Sequence, residues 1–387
     1  MKLETGFSTV MALTYYEFFA GGGMVREGLG RGWHCLFAND IDPHKAKSYR
    51  ANFDPAPLVQ CDINTVTTAA LEGHADLAWA SFPCQDLSLA GAGTGLKGTR
   101  SGAFWCFWRL IEALNQQDRA PTTITLENVP GLVTSNQGRD LAAIIAALTS
   151  LDYVVAPMII DAALFVPQSR PRLFVIGIKN HVKISPAFLA DDPAQEWTTP
   201  ALIKSVAAFP TAIKNALFWP ALPMPPKRNT DLASMVEWQQ QDWDPQQKTD
   251  AILAMMDTRN KLKVEAAKRK DQPMVGAVFK RTRLNKDGQK SQRAEIRFDG
   301  LAGCLRTPSG GSSRQTLLFV RGQDVRSRLI SPRESARLMG LPDSYVLPKS
   351  NTQAYCLTGD GVCVPVVQFL KETLIEPLLS ANRRNAA

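Results

Sequence analysis

"YYEFFAGGGMVREGL", residues 15 to 29, runs from an apolar stretch through three consecutive glycines into a helix-like pattern. The pattern predicts a strand, a tight turn and a helix. Gly21, Gly22 and Gly23 let the backbone bend sharply and approach a ligand that a β-carbon would exclude. The same turn also serves packing alone in many strand–helix units. No GxGxxG fingerprint follows it, so a nicotinamide dinucleotide is disfavoured.

Outward from this turn, the first 180 residues alternate in texture. "WHCLFAND", "ADLAWASF", "TTITLENV", "YVVAPMII" and "RLFVIGI" are short runs rich in Val, Ile, Leu and aromatic residues, which predicts strands covered on both faces. Between them, "DPHKAKSYRANF", "SGAFWCFWRLIEALNQQ" and "GRDLAAIIAALTSL" have helical spacing. The alternation predicts an α/β fold with a mainly parallel sheet and helices on both faces. Residues 182 to 258 lose the alternation and are rich in Pro and Trp. The expected organisation is a catalytic, cofactor-binding domain over 1–181, a smaller domain over 182–328, and a segment over 329–387 that returns to complete the first. That last segment ends in "PVVQFLKETLIEPLL", an amphipathic helix suited to docking on a sheet.

Two acids follow successive strands in register with the glycine turn. In "ANDIDP", Asp40 or Asp42 is placed to accept hydrogen bonds from ribose hydroxyls, and in "QCDINTV", Asp62 is placed to accept from an adenine amine. Each could equally cap the helix that follows. Composition narrows the partner. From Arg259 to Arg328 there are 18 Lys or Arg against 6 Asp or Glu, a surplus of 12, so the rest of a chain of net charge +8 carries −4. A basic region this one-sided favours a polyanion. The seven cysteines (35, 61, 84, 106, 304, 356 and 363) form no CxxC pair, and only four histidines accompany them. Neither a disulfide framework nor a metal site is expected. No stretch approaches eighteen consecutive apolar residues, and a cytoplasmic protein away from the membrane is expected.

The motifs "FFAGGG", "NDID", "CDI", "FPCQ", "LENV", "PQSRPR", "SPRESARLMGLPDSY" and "GDGV" occur in this order along nearly the whole chain. In this the sequence resembles the bacterial-type DNA (cytosine-5) methyltransferases. The resemblance implies a Rossmann-like S-adenosylmethionine-dependent methyltransferase sheet, with a smaller target-recognition domain acting on double-stranded DNA. It also implies a monomer, working within a restriction–modification or related phage-defence system or as a solitary methylase. The nearest alternative is a tRNA cytosine-5 methyltransferase; a different class is a catalytically silent DNA-binding protein on the same fold.

The chemistry explains the residue types. Carbon 5 of cytosine is a poor nucleophile, and addition of a thiolate to carbon 6 raises its electron density. Cys84 of "FPCQ", presented by the stiff Pro83, is the candidate thiolate, because polar residues follow it where the other six cysteines mostly sit in apolar patterns. The addition moves negative charge toward N3. By resemblance Glu127 is the acid there, beside Asn128, while Arg172 contacts the cytosine O2 and Arg170 orders the site. Strand alternation would put Gln168, Arg170 and Arg172 on one face. The resemblance assigns the cofactor to Phe19, Ala20, Gly21, Gly23, Asp40, Ile41, Asp62, Ile63 and Pro83. The target base must be flipped out of the duplex. Ser88, and Lys97 and Arg100 of the glycine-rich stretch 90–102, are candidates for phosphates. In "LRTPSGGSSRQTLLF", Arg306 and Arg314 are candidates to fork onto guanine, and Gln315 to read adenine. Glu17 and Asp360 stand where the family commonly has Asp and Asn, and Ile41 stands where an aromatic residue is frequent.

Overall fold

The computed structural model describes residues 12–53, 57–83, 102–240, 242–284, 290–308 and 314–386. Cys84, Ser88, Lys97 and Arg100 lie outside them.

Seven strands form the main sheet: β1 (Leu13–Phe18), β2 (Trp33–Asp40), β3 (Leu58–Gln60), β4 (Leu77–Ala80), β5 (Thr123–Asn128), β6 (Tyr153–Asp161) and β7 (Pro171–Lys179). Their spatial order is β3-β2-β1-β4-β5-β7-β6. The pairs among β3, β2, β1, β4 and β5 are parallel, and β7 runs antiparallel to both β5 and β6. The nine residues between β6 and β7 are too few for a crossover helix, so β7 returns beside β6 as a hairpin partner. Every residue of β4 and β5 is buried, β4 as its unbroken apolar run predicts and β5 with Thr123, Thr125, Glu127 and Asn128 among them.

Helices cover both faces. On one, α3 (Ala103–Gln116) and α4 (Arg139–Ser150) bury Phe104, Phe107, Trp108, Ile111 and Leu114, and Leu141, Ile144, Ile145 and Leu148, each set at helical spacing. On the other lie α1 (Met24–Leu29) and α2 (Pro43–Asn52) with the C-terminal helices Val364–Leu370 and Glu376–Ala386. Trp33 Nε1 donates to Glu376 Oε1 at 2.8 Å, which ties the two ends of the chain together.

A second, four-stranded antiparallel sheet is built from Met274–Leu284, Lys290–Arg297, Thr316–Arg321 and Asp324–Leu329. It has its own small core, including Ile252, Val264, Val278, Ile296 and Leu318, to which the helices Gln246–Ala254 and Thr258–Lys268 contribute. Packing changes hands later than the sequence texture does. Trp197, Leu202, Val206 and Phe209 are buried in the cores of the main sheet, and Phe218 N donates to Val155 O of β6. The Pro- and Trp-rich residues 197–218 therefore extend the first lobe, although their texture predicts a break at 182. Where the second sheet ends, the buried Arg328 forks onto Glu334, with Nη2–Oε1 at 2.6 Å and Nη1–Oε2 at 2.8 Å, and pins the chain as it turns back.

Candidate active site

The order β2-β1-β4-β5 brings the C-terminal ends of four parallel strands to one edge of the sheet, where ligands of such folds collect. The glycine turn, Asp40, Phe82–Pro83 and Glu127–Asn128 all lie there.

The turn is left-handed at three points: Phe19 (φ 58°), Gly21 (φ 57°) and Gly23 (φ 80°). For Phe19 this costs about 1–2 kcal/mol, which the surrounding hydrogen bonds must offset. Ala20 N donates to Asn39 O and Gly23 N to Ala20 O, both at 2.8 Å. A β-carbon at Gly21 would meet no atom within 4 Å, so the space above the turn is open. Gly22 is closed in from beneath, where a β-carbon would lie 2.6 Å from both the Tyr345 hydroxyl and Leu357 Cδ1. Tyr345 donates that hydroxyl to Gly22 O, so the C-terminal segment supports the turn from below.

The acids divide. Asp40 accepts from Gly21 N at 2.7 Å through Oδ2 and from Asp42 N at 2.8 Å through Oδ1, which makes it the brace of the turn; each oxygen keeps a lone pair for a further donor. Asp42 caps α2 through His44 N and Lys45 N, and Asp62 caps the short turn Ile63–Thr65 through Asn64 N. For these two the capping alternative is what the geometry shows. Ile63 is buried in the core, whereas Ile41 is 65% exposed on the lip beside Asp40. Glu17 is fully buried beneath the turn. It accepts from the Tyr49 hydroxyl at 3.2 Å, its other oxygen has no hydrogen-bond partner among the described residues, and burial pushes its pKa up to about 8.

Glu127, near the end of β5, meets Arg172, the second residue of β7, at 3.1 Å (Oε1–Nε). The antiparallel register, with Asn128 opposite Leu173, fixes this approach. Glu127 is almost completely buried, and desolvation raises its pKa above the usual carboxylate value although Arg172 and Arg170 pull the other way. Asn128 donates to Phe82 O at 3.2 Å and accepts from Val129 N at 2.8 Å. It fixes the backbone just before Pro83.

The expected shared face of Gln168, Arg170 and Arg172 does not form, because β7 begins only at Pro171. Gln168 is fully buried, and its amide is spent on Leu338 O (2.7 Å) and Leu305 N (3.0 Å), a scaffolding position away from the chemistry. Arg170 is a clamp. Its Nη1 donates to Leu305 O at 2.9 Å, and its Nη2 to Gly359 O at 2.8 Å and Gly361 O at 2.7 Å. Arg170→Met should leave three buried carbonyls without that donor, at about 1–3 kcal/mol each. The expected result is a loss of roughly 3 kcal/mol or more in a denaturant titration; an unchanged midpoint would refute the clamp.

Two features carried no signal in the sequence. Cys304 Sγ lies 3.6 Å from Arg170 Nη1 and 3.9 Å from Arg172 Nη1; burial pushes the thiol up, but the two guanidiniums outweigh it and hold its pKa below the usual value. Lys45 Nζ meets Asp360 Oδ2 at 2.6 Å. Both contacts join residues far apart in the chain.

In the second sheet Gln315 does not present its amide outward. Nε2 donates to Val278 O and Thr316 O, and Oε1 accepts from Gly303 N, so the expected adenine contact is replaced by a strand clamp. Arg314 lies over the Tyr355 ring at 5.5 Å and donates to Thr352 Oγ1 at 3.1 Å, while Arg306 is exposed. One face of the hairpin carries the exposed Arg281 and Arg293 directly opposite one another, while the exposed Gln292, paired with Thr282, points to the other face. Among the described residues no group of three His, Cys, Asp or Glu could hold a metal, and no helix is long and apolar enough to cross a membrane.

Residues 13–376 match the model of the family described as C-5 cytosine-specific DNA methylase. The type II methyltransferase M1.ScrFI of Lactococcus lactis subsp. cremoris is 27% identical over 372 residues, covering 95% of this chain and 79% of that protein. M.HpaII of Haemophilus parainfluenzae is 27% identical over 382 residues, covering 94% and 90%. Among solved structures, the S. pombe Dnmt2 methyltransferase aligns with a TM-score of 0.56 at 19% identity, covering 95% of this chain and 99% of that one. The Entamoeba histolytica methyltransferase EhMeth aligns with 0.59 at 16%, with the same coverage, and the two likenesses support the fold. A match across nearly the whole chain, on a sheet that gathers the glycine turn and the Glu127–Arg172 pair at one edge, makes this protein an enzyme of the C-5 cytosine-specific DNA methylase family.

Proposed function

We propose that the chain methylates C5 of a cytosine flipped out of a specific double-stranded DNA sequence, through a transient bond between Cys84 and C6. The observation that carries this is the buried Glu127, its pKa raised and its carboxyl in contact with Arg172. In the protonated form it can give a proton to N3 as the Cys84 thiolate adds to C6, while Arg172 holds O2. The addition leaves C5 electron-rich. After the methyl group is in place a base takes the C5 proton, the C5–C6 double bond re-forms and the Cys84 sulfur leaves with its electron pair.

The methyl donor fits S-adenosylmethionine. Open space over Gly21, the braced Asp40 and the exposed apolar Ile41 suit a nucleoside better than a phosphate, since no basic cradle follows the turn. When bound it supplies an electrophilic methyl group on a sulfonium sulfur. Phe19, Ala20, Gly21, Gly23, Asp40 and Ile41 would line its site, with Pro83 at the border toward the base. On the DNA side, exposed Arg306, Arg281 and Arg293 would meet the duplex, and Arg314 would act through its packing on Tyr355.

The type II names of the curated relatives favour a role in restriction–modification and DNA over tRNA. Incubation with labelled S-adenosylmethionine should mark duplex DNA and leave tRNA unmarked. Bisulfite sequencing of DNA from cells expressing the chain should show protected cytosines in one sequence context. Label in tRNA alone, or protection without a shared context, would overturn the proposal.

A further inference from the structure

The pair Lys45–Asp360 lies where the candidate donor site and the candidate base site meet. Asp360 ends the helix Asn351–Asp360, a position where the helix dipole already disfavours an anion. Its backbone is held on both sides, since Arg170 takes the carbonyls of Gly359 and Gly361. A β-carbon at Gly359 would lie 2.6 Å from the backbone at Arg306 and Thr307, so the segment cannot slide. The carboxylate is thus fixed in place; its side chain is 45% exposed, and Lys45 reaches it from the first turn of α2.

Asp360 has neighbours in two directions. On the donor side, a β-carbon at the next residue, Gly361, would run into Met24 Sδ, just after the glycine turn, and Lys45 stands beside Asp42, to which its own N–H donates. On the base side, Arg170, which holds both flanking carbonyls, shares Cys304 with Arg172, the partner of Glu127. A donor seated on Gly21 and Asp40 whose methyl reached a base at Glu127 would carry its sulfur between these two groups, on the side where Asp360 is held. Before transfer that sulfur is a cation, and afterwards it is a neutral thioether. Apart from the methyl group that leaves, nothing else in the cofactor changes.

We infer that Asp360 is a specificity-determining residue that favours the cationic donor over its neutral product, and that Lys45 tempers this preference by partly neutralising the carboxylate. The inference rests on S-adenosylmethionine being the donor. Because donor and product share their adenosine, amino and carboxylate groups, the ratio of their affinities isolates the sulfonium charge. One charge at a partly solvated distance of several ångströms changes that ratio by about three- to tenfold.

The test is calorimetric titration of the full chain with S-adenosylmethionine and with S-adenosylhomocysteine. Asp360→Asn, which keeps the shape, should lower the donor-to-product affinity ratio by about three- to tenfold. Lys45→Met should move it the opposite way. Equal ratios in the unmodified chain and both variants, or shifts of the same sign, would overturn the inference while leaving the methyl donor intact. If the unmodified chain bound neither compound, the donor assignment would fall, and the inference with it.

Discussion

Cys84→Ser is expected to abolish methyl transfer, with a fall on the order of 10³-fold or more in turnover, the scale on which loss of an enzyme's nucleophile is felt. The reason is chemical. A thiolate is a strong nucleophile even when a minority of the thiol is ionised, and it is polarizable enough to add to an aromatic carbon. A serine hydroxyl is almost wholly protonated at neutral pH and needs a base, such as the histidine of a serine hydrolase, to act as a nucleophile. A duplex containing 5-fluorocytosine makes the difference visible. Fluorine cannot leave C5 as a proton does, so the sulfur–C6 bond persists and the chain should migrate with DNA on a denaturing gel. The unmodified chain should form this adduct and Cys84→Ser should not. Among the described residues Cys304 is the thiol that touches both Arg170 and Arg172, so Cys304→Ser provides the decisive control. It should still form the adduct. Loss of the adduct in Cys304→Ser with retention in Cys84→Ser would reassign the nucleophile.

That the sheet was legible in the sequence follows from how such sheets are buried. A strand covered on both faces is largely apolar, so β4 and the core of β7 appear as unbroken runs, and β5 alternates Ile124 and Leu126 with threonines before its polar end. Glu127 was visible for the converse reason, as a charge at the end of such a run. Local signals also marked the glycine turn. What stayed hidden depends on contacts between distant segments. Gln168 and Arg170 are polar residues near a strand, and alternation placed them on it; only the fold shows their side chains spent on carbonyls and amides 135 to 191 residues away. Gln315 is similar, since a glutamine a few residues after Gly310 and Gly311 looks available for a base until a neighbouring strand takes its amide nitrogen and Gly303 N its oxygen. The limit of the first lobe was misjudged by texture, because Pro and Trp mark irregular backbone and say nothing about which core that backbone covers.

Glu127→Gln carries the second large effect, an expected fall of about 10²–10⁴-fold in turnover, the usual contribution of a positioned proton donor. Glutamine has nearly the shape of the protonated acid and can still donate a hydrogen bond to N3, so base binding should change little. It has no proton to give. The charge created by addition of Cys84 would then remain on the ring, and the barrier would rise. The pH dependence separates this role from a structural one. Burial raises the pKa of Glu127 above the usual carboxylate value, so the folded chain keeps this proton over a range where the unfolded chain has lost it. Its contribution to stability is therefore present in full at low pH and is lost as pH rises through the folded pKa. The same proton loss should produce an alkaline fall in turnover. In Glu127→Gln the alkaline limb should flatten, and thermal stability should decline less with rising pH than in the unmodified chain. A variant that kept the alkaline limb unchanged would show that another group donates the proton. One that lost stability equally at every pH would show that the Glu127–Arg172 contact serves the fold before it serves the reaction.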